Sequence, residues 1–406
     1  MQSTTGRPGR VTVALLAGFA GLAPLSIDMY LPALPSISAT MHAAPAQATA
    51  TLSLFFTGLA AGQLFIGPLS DRIGRRKPLI GGLALFILGT FVAAAAGSIG
   101  QLIAARLVQG IGGAAVTVSG RAIVRDMFDH RGTARFLSML MLISGLAPVL
   151  APSLGSALLS IGSWRVIFLF TGALAVLFLV GTAFSLPETR SHEARSAAWQ
   201  DHPLRGYWVL LRNRRLLGYL LAAAFNSGCF FTYLAAAPLV LMQVYGLKPW
   251  WFSLVMAANA IGLVGSSQIN RWLLRTRSPD HMLRVAARNA AFLAVAYFLF
   301  TVTLFGGLSV LLALVFCAVA SNSVVQANTM AGALSVDAAR SGSTAALFGA
   351  IGFGTGTLCS LIAGLIFDGT ARGMMALIGL CLIGTAVTVR FLAVPTPGER
   401  PTEGTA

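Results

Sequence analysis

GPLSDRIGRRKPLIGGLALFILGTFVAAAAG, residues 67–97, is a basic loop followed by twenty residues that carry no charge. About 20 apolar residues in a helix span the hydrocarbon core of a bilayer, which is about 30 Å thick. The uncharged run is apolar on every face and lacks the alternation of apolar and polar residues that marks a membrane β-strand. This stretch therefore predicts a transmembrane helix that follows a loop on the cytoplasmic side.

The composition of the whole chain predicts many such helices. The chain has 406 residues, of which 56% are hydrophobic and 10% are charged, and its mean hydropathy is +0.80. Soluble domains have about 25% charged residues, so a water-soluble fold is excluded. The length predicts an all-α polytopic membrane protein with twelve transmembrane helices. The predicted spans cover residues 11–36, 48–69, 79–97, 101–124, 136–160, 164–186, 216–241, 250–272, 285–306, 308–333, 343–367 and 373–394.

The positive charge is distributed as in a membrane protein and not as in a nucleic-acid-binding protein. The net charge is +16, and twenty-four of the 28 lysine and arginine residues fall in alternate loops and their flanks. Three fall on the other side, and the remaining one, Arg106, falls inside a span. Cytoplasmic loops carry an excess of basic residues, so this split predicts that both termini are cytoplasmic. We expect a multi-pass membrane protein with no nucleic-acid partner.

A polar stretch near the middle of the chain separates two sets of six spans. It predicts an N-terminal six-helix half at residues 1–186, a cytoplasmic linker at 187–215, a C-terminal six-helix half at 216–394 and a cytoplasmic tail at 395–406. The loops after span 2 and after span 8 are both basic, which indicates an internal repeat. Two parallel, pseudo-symmetric halves are an arrangement found among secondary transporters.

Asp28 lies in the stretch LSIDMYLPALP, residues 25–35, well inside the first predicted span. The other eleven acidic residues fall in predicted loops, in tails or at a helix end. A charge in a span costs at least ~2.5–3.5 kcal/mol, so it usually has a role. Burial favours the neutral carboxyl and a nearby cation favours the carboxylate, which suits Asp28 to load and release a proton. The alternative is a structural polar group at a helix break beside Pro32 and Pro35.

Arg106 is the candidate partner of Asp28. It lies in LIAARLVQGIGG, residues 102–113, where small residues recur at helical spacing and allow close helix packing. At ~1.5 Å per residue, Asp28 lies roughly 26 Å from the inner end of span 1, and Arg106 roughly 8 Å from the outer end of span 4. Both residues therefore fall in the outer half of the membrane at a similar depth. The alternative is that Arg106 extends to the outer interface.

The basic loop at residues 67–77 is a candidate conformational latch between the two halves. A glycine and a proline end span 2, and a second glycine permits the tight turn of a short hairpin. The acid can face the positive N-terminus of span 11 at residues 341–344, and the arginines can pair with acids or lipid phosphates. The alternative is an ordinary basic loop. The predicted latch residues are Gly67, Asp71, Arg72, Gly74, Arg75 and Arg76.

Polar and aromatic residues within the spans are candidates for the lining of a substrate cavity. An amide in hydrocarbon needs a partner, so the amides are stronger candidates than the aromatic residues, which also suit the core or the lipid-facing surface. The predicted cavity residues are Tyr30, Phe55, Gln109, Asn226, Tyr233, Asn259, Gln326 and Asn328. Span 5 carries a predicted packing motif, Gly145, Pro148, Pro152 and Gly155, whose alternative is plain helix packing.

Other classes of function have no support in these residues. The sequence contains no Walker A loop, no metal-ligand spacing of cysteine and histidine, and no Ser/His/Asp arrangement. We therefore expect neither an enzyme nor an ATP-driven pump, with no catalytic residues, no metal and no cofactor. The energy source is expected to be a proton gradient.

Taken together, LSIDMYLPALP, GPLSDRIGRRKP, RLVQGIGG and the Trp164-Arg165 and Leu186–Arg190 ends of span 6 resemble the Bcr/CflA subfamily of drug:proton antiporters in the major facilitator superfamily. Span 5 resembles the Gly/Pro-rich antiporter motif but has Ala147, Ala151 and Ser156 where that motif usually has glycine. The resemblance implies the major facilitator fold with two six-helix halves and alternating access.

The resemblance also implies the location and the function, which is export of bicyclomycin-, chloramphenicol- or sulfonamide-type drugs across the bacterial inner membrane in exchange for protons. It implies that Asp28 carries the proton and that Arg106 tunes Asp28. It also implies that Asp71, Arg72 and Arg75 form a conformational gate. The expected partners are a small amphipathic drug, protons and the lipid bilayer, and we expect a monomer. Two alternatives stay open: a same-fold exporter of a metabolite such as a sugar or amino-acid derivative, and a membrane receptor or scaffold without flux.

Overall fold

The computed structural model describes residues 10–393 except 129, 192, 194, 197–202 and 338–339. Long α-helices joined by short loops make up this part of the chain, which contains no β-strand. The helices are α1 (Arg10–Asp28), α2 (Leu34–Thr40), α3 (Pro45–Ile73), α4 (Arg76–Ala95), α5 (Ile99–Met127), α6 (His130–Ile161), α7 (Arg165–Ser185), α8 (Pro203–Leu211), α9 (Arg214–Ala237), α10 (Pro249–Leu273), α11 (Pro279–Thr303), α12 (Gly307–Val336), α13 (Ser341–Leu365) and α14 (Arg372–Thr388).

The expected all-α membrane architecture is confirmed. Within the described residues, eleven helical segments are long and apolar enough to cross a membrane. One of them combines α1 and α2, and two others continue α9 and α14 through the π-helical segments Pro238–Val244 and Val389–Ala393. The remaining predicted span corresponds to α6, which contains a shorter apolar stretch, Gly145–Ile161. The chain is thus a multi-pass membrane protein.

The first predicted span, residues 11–36, contains a helix break beside Pro32 and Pro35, where the alternative interpretation of Asp28 placed one. Helix α1 ends at Asp28, and a 3₁₀ turn, Leu31–Ala33, precedes α2. Pro32 lies in the first turn of the 3₁₀ segment, and Pro35 lies in the first turn of α2. Proline lacks the N–H group that would continue the helix, so the chain restarts at these points. The break leaves Asp28 as the last residue of α1.

The two sets of helices meet through polar contacts at one end of the bundle. We call the end where α3 passes into α4 the basic end, because it carries residues 67–77, and the other end the distal end. On the distal side of the bundle, the Ser53 hydroxyl of α3 bonds that of Ser360 in α13. Ser156 of α6 bonds Ser253 of α10 at 2.7 Å, and Ser253 also donates to the Pro152 carbonyl at 2.9 Å. These contacts join the two sets of helices at the distal end.

Helix α5 packs closely against both α3 and α4 because small residues lie at the crossings. Gly110 lies against the backbone of Phe55 and Gly58 in α3, and a Cβ at Gly110 would overlap the Phe55 carbonyl. Gly112 packs in the same way against the backbone of Phe86 in α4. The small residues predicted for span 4 therefore allow the backbones to approach each other. This packing fixes the position of Arg106.

The predicted linker, residues 187–215, contains the amphipathic helix α8. Its inward residues Tyr207 and Leu210 are buried, and the Tyr207 hydroxyl donates to the Leu64 carbonyl of α3 at 3.2 Å. Helix α8 also packs against α13, so it contacts helices from both predicted halves at the basic end. The predicted domain boundaries at 186, 215 and 394 stay predictions, and the predicted tail at 395–406 lies outside the described residues.

Candidate proton and substrate site

Asp28 lies at the helix break, where the two halves meet. Its side chain is 5% exposed, and the neighbouring Met29 carbonyl packs against Gly155 of α6. In the part of the chain that the structure describes, no hydrogen bond or ion pair engages the Asp28 carboxyl. The 3₁₀ turn that follows Asp28 packs against α10, and α2 packs against the π-helical segment that continues α9. The helix break at Asp28 therefore adjoins a contact between the two halves.

Arg106 is enclosed by aromatic rings. The side chain is fully buried, with no exposed surface. Its guanidinium carbon lies 4.1 Å from the ring centroid of Phe55, 4.7 Å from that of Tyr30 and 5.9 Å from that of Phe168. A desolvated cation over aromatic faces gains about 2 kcal/mol or more from the ring quadrupoles. Arg106 thus stays within the bundle and does not extend to the outer interface.

The polar contacts of Arg106 leave part of its donor capacity unused. Its Nη1 donates to Gln109 Oε1 at 2.5 Å, and Gln109 Nε2 donates to the Thr90 hydroxyl of α4 at 2.8 Å. The Nε and Nη2 groups are buried and have no hydrogen-bond partner among the described residues. The ion pairs of the described residues do not join Arg106 to Asp28. A buried donor without a partner carries a desolvation cost, so Arg106 has a strong preference for an added acceptor.

Two buried tyrosines, one in each half, make polar contacts with neighbouring helices. The Tyr30 hydroxyl bonds that of Thr51 on α3 at 2.7 Å. Tyr233 on α9 accepts a 2.6 Å bond from the Asn259 amide of α10 and lies 2.8 Å from the Met256 sulfur. Each half therefore holds a buried tyrosine whose hydroxyl takes part in a polar contact within that half.

The remaining predicted cavity amides lie elsewhere along the C-terminal helices. Asn226 of α9 donates to the Asn322 carbonyl of α12 at 3.2 Å, and Asn322 donates back to the Asn226 carbonyl at 3.0 Å. Asn226 also lies 3.4 Å from Gln326 Oε1. Asn328, nearer the basic end of α12, donates to Asn270 Oδ1 at 2.9 Å. The structure thus groups Asn226 with Gln326, and Tyr233 with Asn259, but places Asn328 apart.

The predicted cavity residues are packed inside the bundle in this conformation. Gln326 is half-buried, and the other seven are buried. Within the described residues, Tyr30, Phe55 and Gln109 surround Arg106, whereas Asn226 and the remaining amides bond other helices. Their contact with a substrate stays a prediction.

Arg75 is the centre of the polar network at the basic end. Its Nη1 lies 2.7 Å from Asp71 and its Nε lies 2.8 Å from Asp126 on α5. It also donates to the Ser70 hydroxyl at 2.9 Å. Asp71 in turn pairs with Arg190, beyond α7, at 3.3 Å. The charged partners of Asp71 therefore belong to the first half and the start of the predicted linker, and the predicted contact with the N-terminus of α13 is not among the bonds of the described residues.

Glu188 caps the start of α4 from a distant part of the chain. Its carboxylate accepts the backbone N–H of Arg75 at 2.8 Å and of Arg76 at 3.2 Å. It also accepts the N–H groups of Thr189 and Arg190, each at 3.0 Å. Burial alone would raise the pKa of Glu188, but these N–H donors and the nearby Arg195 hold the pKa below its usual value. The carboxylate also complements the positive end of α4.

The other predicted latch residues take up defined positions around this network. Gly74 has a φ of +96° and packs against the Glu188 carboxylate, a conformation and a space that suit glycine. The Gly67 carbonyl accepts the Ser70 hydroxyl at 2.9 Å. Arg76 donates to the Ala183 carbonyl of α7 at 2.7 Å, and Arg72 lies in the last turn of α3. The proposed latch action of these residues stays a prediction.

The predicted packing motif of span 5 lies along the interface with α10. Pro148 and Pro152 are inside α6. Gly145 faces Val264 of α10, and Gly155 packs against the backbone of Met29 at the helix break beside Asp28. The small face therefore touches both the second half and the region of the candidate proton site.

Sequence reasoning missed several residues of these networks. Asp126, Glu188 and Arg190 join the loop at residues 67–77, and Asn270 and Asn322 are partners of predicted amides. An acid at the end of a span beside a basic loop on the same side was the available signal for Asp126 and Glu188. The described residues contain no group of three or more histidine, cysteine or acidic side chains that suits a metal ion.

Comparison with known proteins agrees with this architecture. A family model of the Major Facilitator Superfamily matches residues 16–363. The chain is 33% identical over 370 residues to an uncharacterized MFS-type transporter of Bacillus subtilis, YdgK, with 90% of this chain and 91% of that protein covered. It is 30% identical over 372 residues to a bicyclomycin resistance protein homolog of Haemophilus influenzae, with 91% and 93% covered.

Two further matches extend the comparison. The chain is 34% identical over 239 residues to the multidrug resistance protein MdtL of Escherichia coli, with 59% of this chain and 60% of that protein covered. The solved structure of a D-xylose-proton symporter superposes with a TM-score of 0.73 at 14% identity, with 95% of this chain and 98% of that chain covered. At this identity the second match shows the fold alone.

The helical bundle and these matches define a multi-pass membrane transporter. The chain belongs to the Major Facilitator Superfamily. Its similarity to the bicyclomycin resistance homolog and to the multidrug resistance protein confirms the predicted resemblance to the Bcr/CflA subfamily.

Proposed function

We propose that this protein exports small amphipathic drugs across the inner membrane of a bacterium in exchange for protons. The observation that carries the proposal is the position of Asp28. It is a buried carboxyl at a helix break, at the interface of the two halves and without a hydrogen-bonded or paired partner among the described residues. An ionisable group inside a membrane protein is by default a functional residue.

The surroundings of Asp28 support a coupling of proton and substrate. The chain directly after Asp28 packs against α10 and the π-helical segment that continues α9, so a change in how the halves pack changes the surroundings of Asp28. Arg106 has two buried N–H groups that need an acceptor. In a state where water or Arg106 reaches Asp28, the carboxylate is stabilised, and in the packed state the neutral carboxyl is less costly. Proton release and repacking of the halves are then linked.

The contacts at the distal end support alternating access. The Ser53–Ser360 bond and the 2.7 Å Ser156–Ser253 bond hold the halves together there. An outward-open state requires that these contacts separate while the basic end closes. With both termini cytoplasmic, as the distribution of arginine predicts, the distal end faces outward, and these contacts would have to separate for a substrate to leave there.

The names of the relatives support drugs as the substrate class. One relative is a bicyclomycin resistance homolog and another is a multidrug resistance protein. Tyr30, Phe55 and Phe168 add aromatic faces next to a cation, which suits amphipathic molecules with a polar group. We propose that Tyr30, Phe55, Gln109, Tyr233 and Asn259 contact the substrate, that no cofactor takes part, and that the monomer is the functional unit.

Transport into proteoliposomes tests the proposal. Vesicles with an acidic lumen in an alkaline buffer are supplied with radiolabelled bicyclomycin or chloramphenicol, and accumulated drug is counted. A drug:proton antiporter accumulates the drug only while the pH gradient lasts, and an ionophore that removes the gradient abolishes the accumulation. Failure to accumulate any of a broad drug panel, with uptake of a sugar or amino-acid derivative instead, would favour the metabolite exporter. Binding without gradient-dependent flux of any compound would favour a receptor.

A further inference from the structure

A groove lies between α11 and α14 near the basic end of the bundle, away from the candidate proton site. Its volume is about 620 Å³. Arg284, Arg288 and Arg390 lie on its wall together with His281, and the lining contains no acidic residue. Arg284 and Arg288 are one helical turn apart, so they share one face of α11. Arg390 belongs to the π-helical segment that continues α14.

Among the described residues, the three arginines of the groove form no ion pair. The ion pairs formed by the described residues involve Asp71, Asp126, Asp280 and Asp337, and none engages Arg284, Arg288 or Arg390. All three side chains are exposed. A cluster of guanidinium groups without carboxylates matches the bidentate geometry of a phosphate.

The depth of the arginines places them where lipid headgroups meet hydrocarbon. At ~1.5 Å per residue, Arg284 lies about 28 Å from the distal end of α11 at Thr303, and Arg288 lies about 22 Å from it. Arg390 lies about 27 Å from the distal end of α14 at Arg372 by the same measure. With a hydrocarbon core of about 30 Å, Arg284 and Arg390 reach the headgroup boundary, and Arg288 lies one turn deeper.

The rest of the groove is apolar. Ala287, Ala291 and Ala386 line it with small side chains, and Val387 and Phe391 flank it. Val387 is 48% exposed and Phe391 is 70% exposed. An apolar channel that begins at a cluster of arginines and runs toward the membrane centre fits an acyl chain below a phosphate.

We propose that this groove binds an anionic phospholipid, with the phosphate held by Arg284, Arg288 and Arg390 and an acyl chain lying over Ala287 and Ala291. A free phosphate would satisfy the arginines, but it would leave the alanine-lined part of the groove empty. Basic pockets between transmembrane helices on the cytoplasmic side are suited to phosphorylated headgroups. The site is separate from the proposed transport path, so its test does not depend on transport.

Native mass spectrometry of the purified full-length protein in detergent tests the proposal. The protein is titrated with phosphatidylglycerol, with phosphatidylcholine and with phosphatidylglycerol in the presence of inorganic phosphate. The variant Arg284→Gln/Arg288→Gln removes two charges from the groove. The variant Arg271→Gln/Arg275→Gln is the matched control, because it removes two charges at the same end of the bundle outside the groove. Ala291→Trp fills the groove and keeps all arginines, so it tests the site even if the charge variant misfolds.

We expect phosphatidylglycerol to bind at least about tenfold more tightly than phosphatidylcholine, and the groove variant to lose this difference. The control variant should keep it, Ala291→Trp should weaken phosphatidylglycerol binding, and inorganic phosphate should not displace the lipid. An equal loss in both charge variants would overturn the site, because it would mean general surface attraction. Displacement by inorganic phosphate, or full lipid binding by Ala291→Trp, would overturn the lipid assignment.

Discussion

The guanidinium carbon of Arg106 lies 4.1 Å from the ring centroid of Phe55, and the cation is enclosed by rings and an amide rather than by a carboxylate. The side chain predicted to tune Asp28 is therefore held away from any ion pair with it among the described residues. Its buried Nε and Nη2 groups have no hydrogen-bond partner among the described residues. A packing change that brings an acceptor to Arg106 would remove the desolvation cost of these two donors.

Replacing Arg106 by lysine tests the importance of the aromatic enclosure. Lysine keeps the positive charge, but its compact, strongly hydrated ammonium does not stack as a planar guanidinium does. We expect Arg106→Lys to lower the free energy of unfolding by about 2 kcal/mol and to reduce gradient-driven drug accumulation by about tenfold or more. The measurements are thermal unfolding in detergent and proteoliposome transport.

Arg165→Lys is the matched control for this change. Arg165 lies over the Trp164 ring at 4.3 Å and donates to the Ala96 carbonyl, outside the candidate site. We expect this variant to lose at most about 1 kcal/mol and to transport normally. Equal effects of the two lysine variants would contradict a special role for the Arg106 enclosure.

Gly110 tests the close contact that positions α5. A methyl group there would overlap the Phe55 carbonyl, so Gly110→Ala should force α3 and α5 apart and cost about 1–3 kcal/mol. Gly81 is the control, since a Cβ at this exposed position of α4 meets nothing within 4 Å. Gly81→Ala should be neutral or slightly stabilising. Thermal unfolding of both variants decides the point, and a stable Gly110→Ala protein would refute the predicted contact.

Cross-linking the contacts at the distal end tests whether the two halves separate there during transport. In a background with the four native cysteines replaced by alanine, Ser53→Cys/Ser360→Cys should cross-link on oxidation and lock the two halves together. Transport should fall by about tenfold or more and return after reduction, because the outward-open state needs this end to separate.

The control for the cross-link lies within one half. Ser266 and Ser323 also share a hydrogen bond, at 2.7 Å, but α10 and α12 both belong to the predicted C-terminal half. Oxidised Ser266→Cys/Ser323→Cys should therefore transport normally. Full transport by the oxidised Ser53→Cys/Ser360→Cys protein would argue against separation of the halves at the distal end.

Glu188 makes the stability of the basic end depend on pH. The folded-state pKa of Glu188 is lowered. Its contribution to the free energy of unfolding is therefore present above the usual pKa of glutamate and is lost as the pH falls through the lowered pKa. Glu188→Gln should lower the free energy of unfolding by about 1 kcal/mol at neutral pH, a modest figure because the side chain is exposed. Unfolding midpoints of wild type and variant should converge in acid. Glu193→Gln, at an exposed acid of the same segment, is the control, and a difference that persists in acid would exclude this role.

The sequence was sufficient to predict the helical membrane architecture, because apolar runs of about 20 residues and the distribution of arginine are local signals. It also singled out Asp28 and Arg106, since a charge in an apolar span stands out on its own. Hydropathy did not register the break after Asp28, because it does not record the missing N–H groups of Pro32 and Pro35, but these two prolines were the signal for the helix break named in the alternative for Asp28. Helix α8 was missed as well, although Tyr207 and Leu210 at helical spacing after Pro203 were a usable signal.

The partners of the site residues were beyond sequence reasoning because they depend on which helices meet. Phe168 reaches Arg106 from α7, and Glu188 reaches the start of α4 across more than one hundred residues. The grouping of Tyr233 with Asn259, and the separation of Asn328 from them, likewise depend on the packing of the second half. Single-residue patterns contain no information on such distant pairs.

The central claim is that Asp28 couples drug to proton, and drug-induced proton release tests it most directly. Chloramphenicol or bicyclomycin is added to purified wild type, to Asp28→Asn and to the control Asp368→Asn in weakly buffered, mildly alkaline detergent solution. Asp368 is an exposed acid in a loop. The account predicts that wild type and Asp368→Asn release protons when the drug binds and that Asp28→Asn binds the drug without releasing them. Equal proton release from Asp28→Asn would contradict the account, because the coupling proton would then reside on another group.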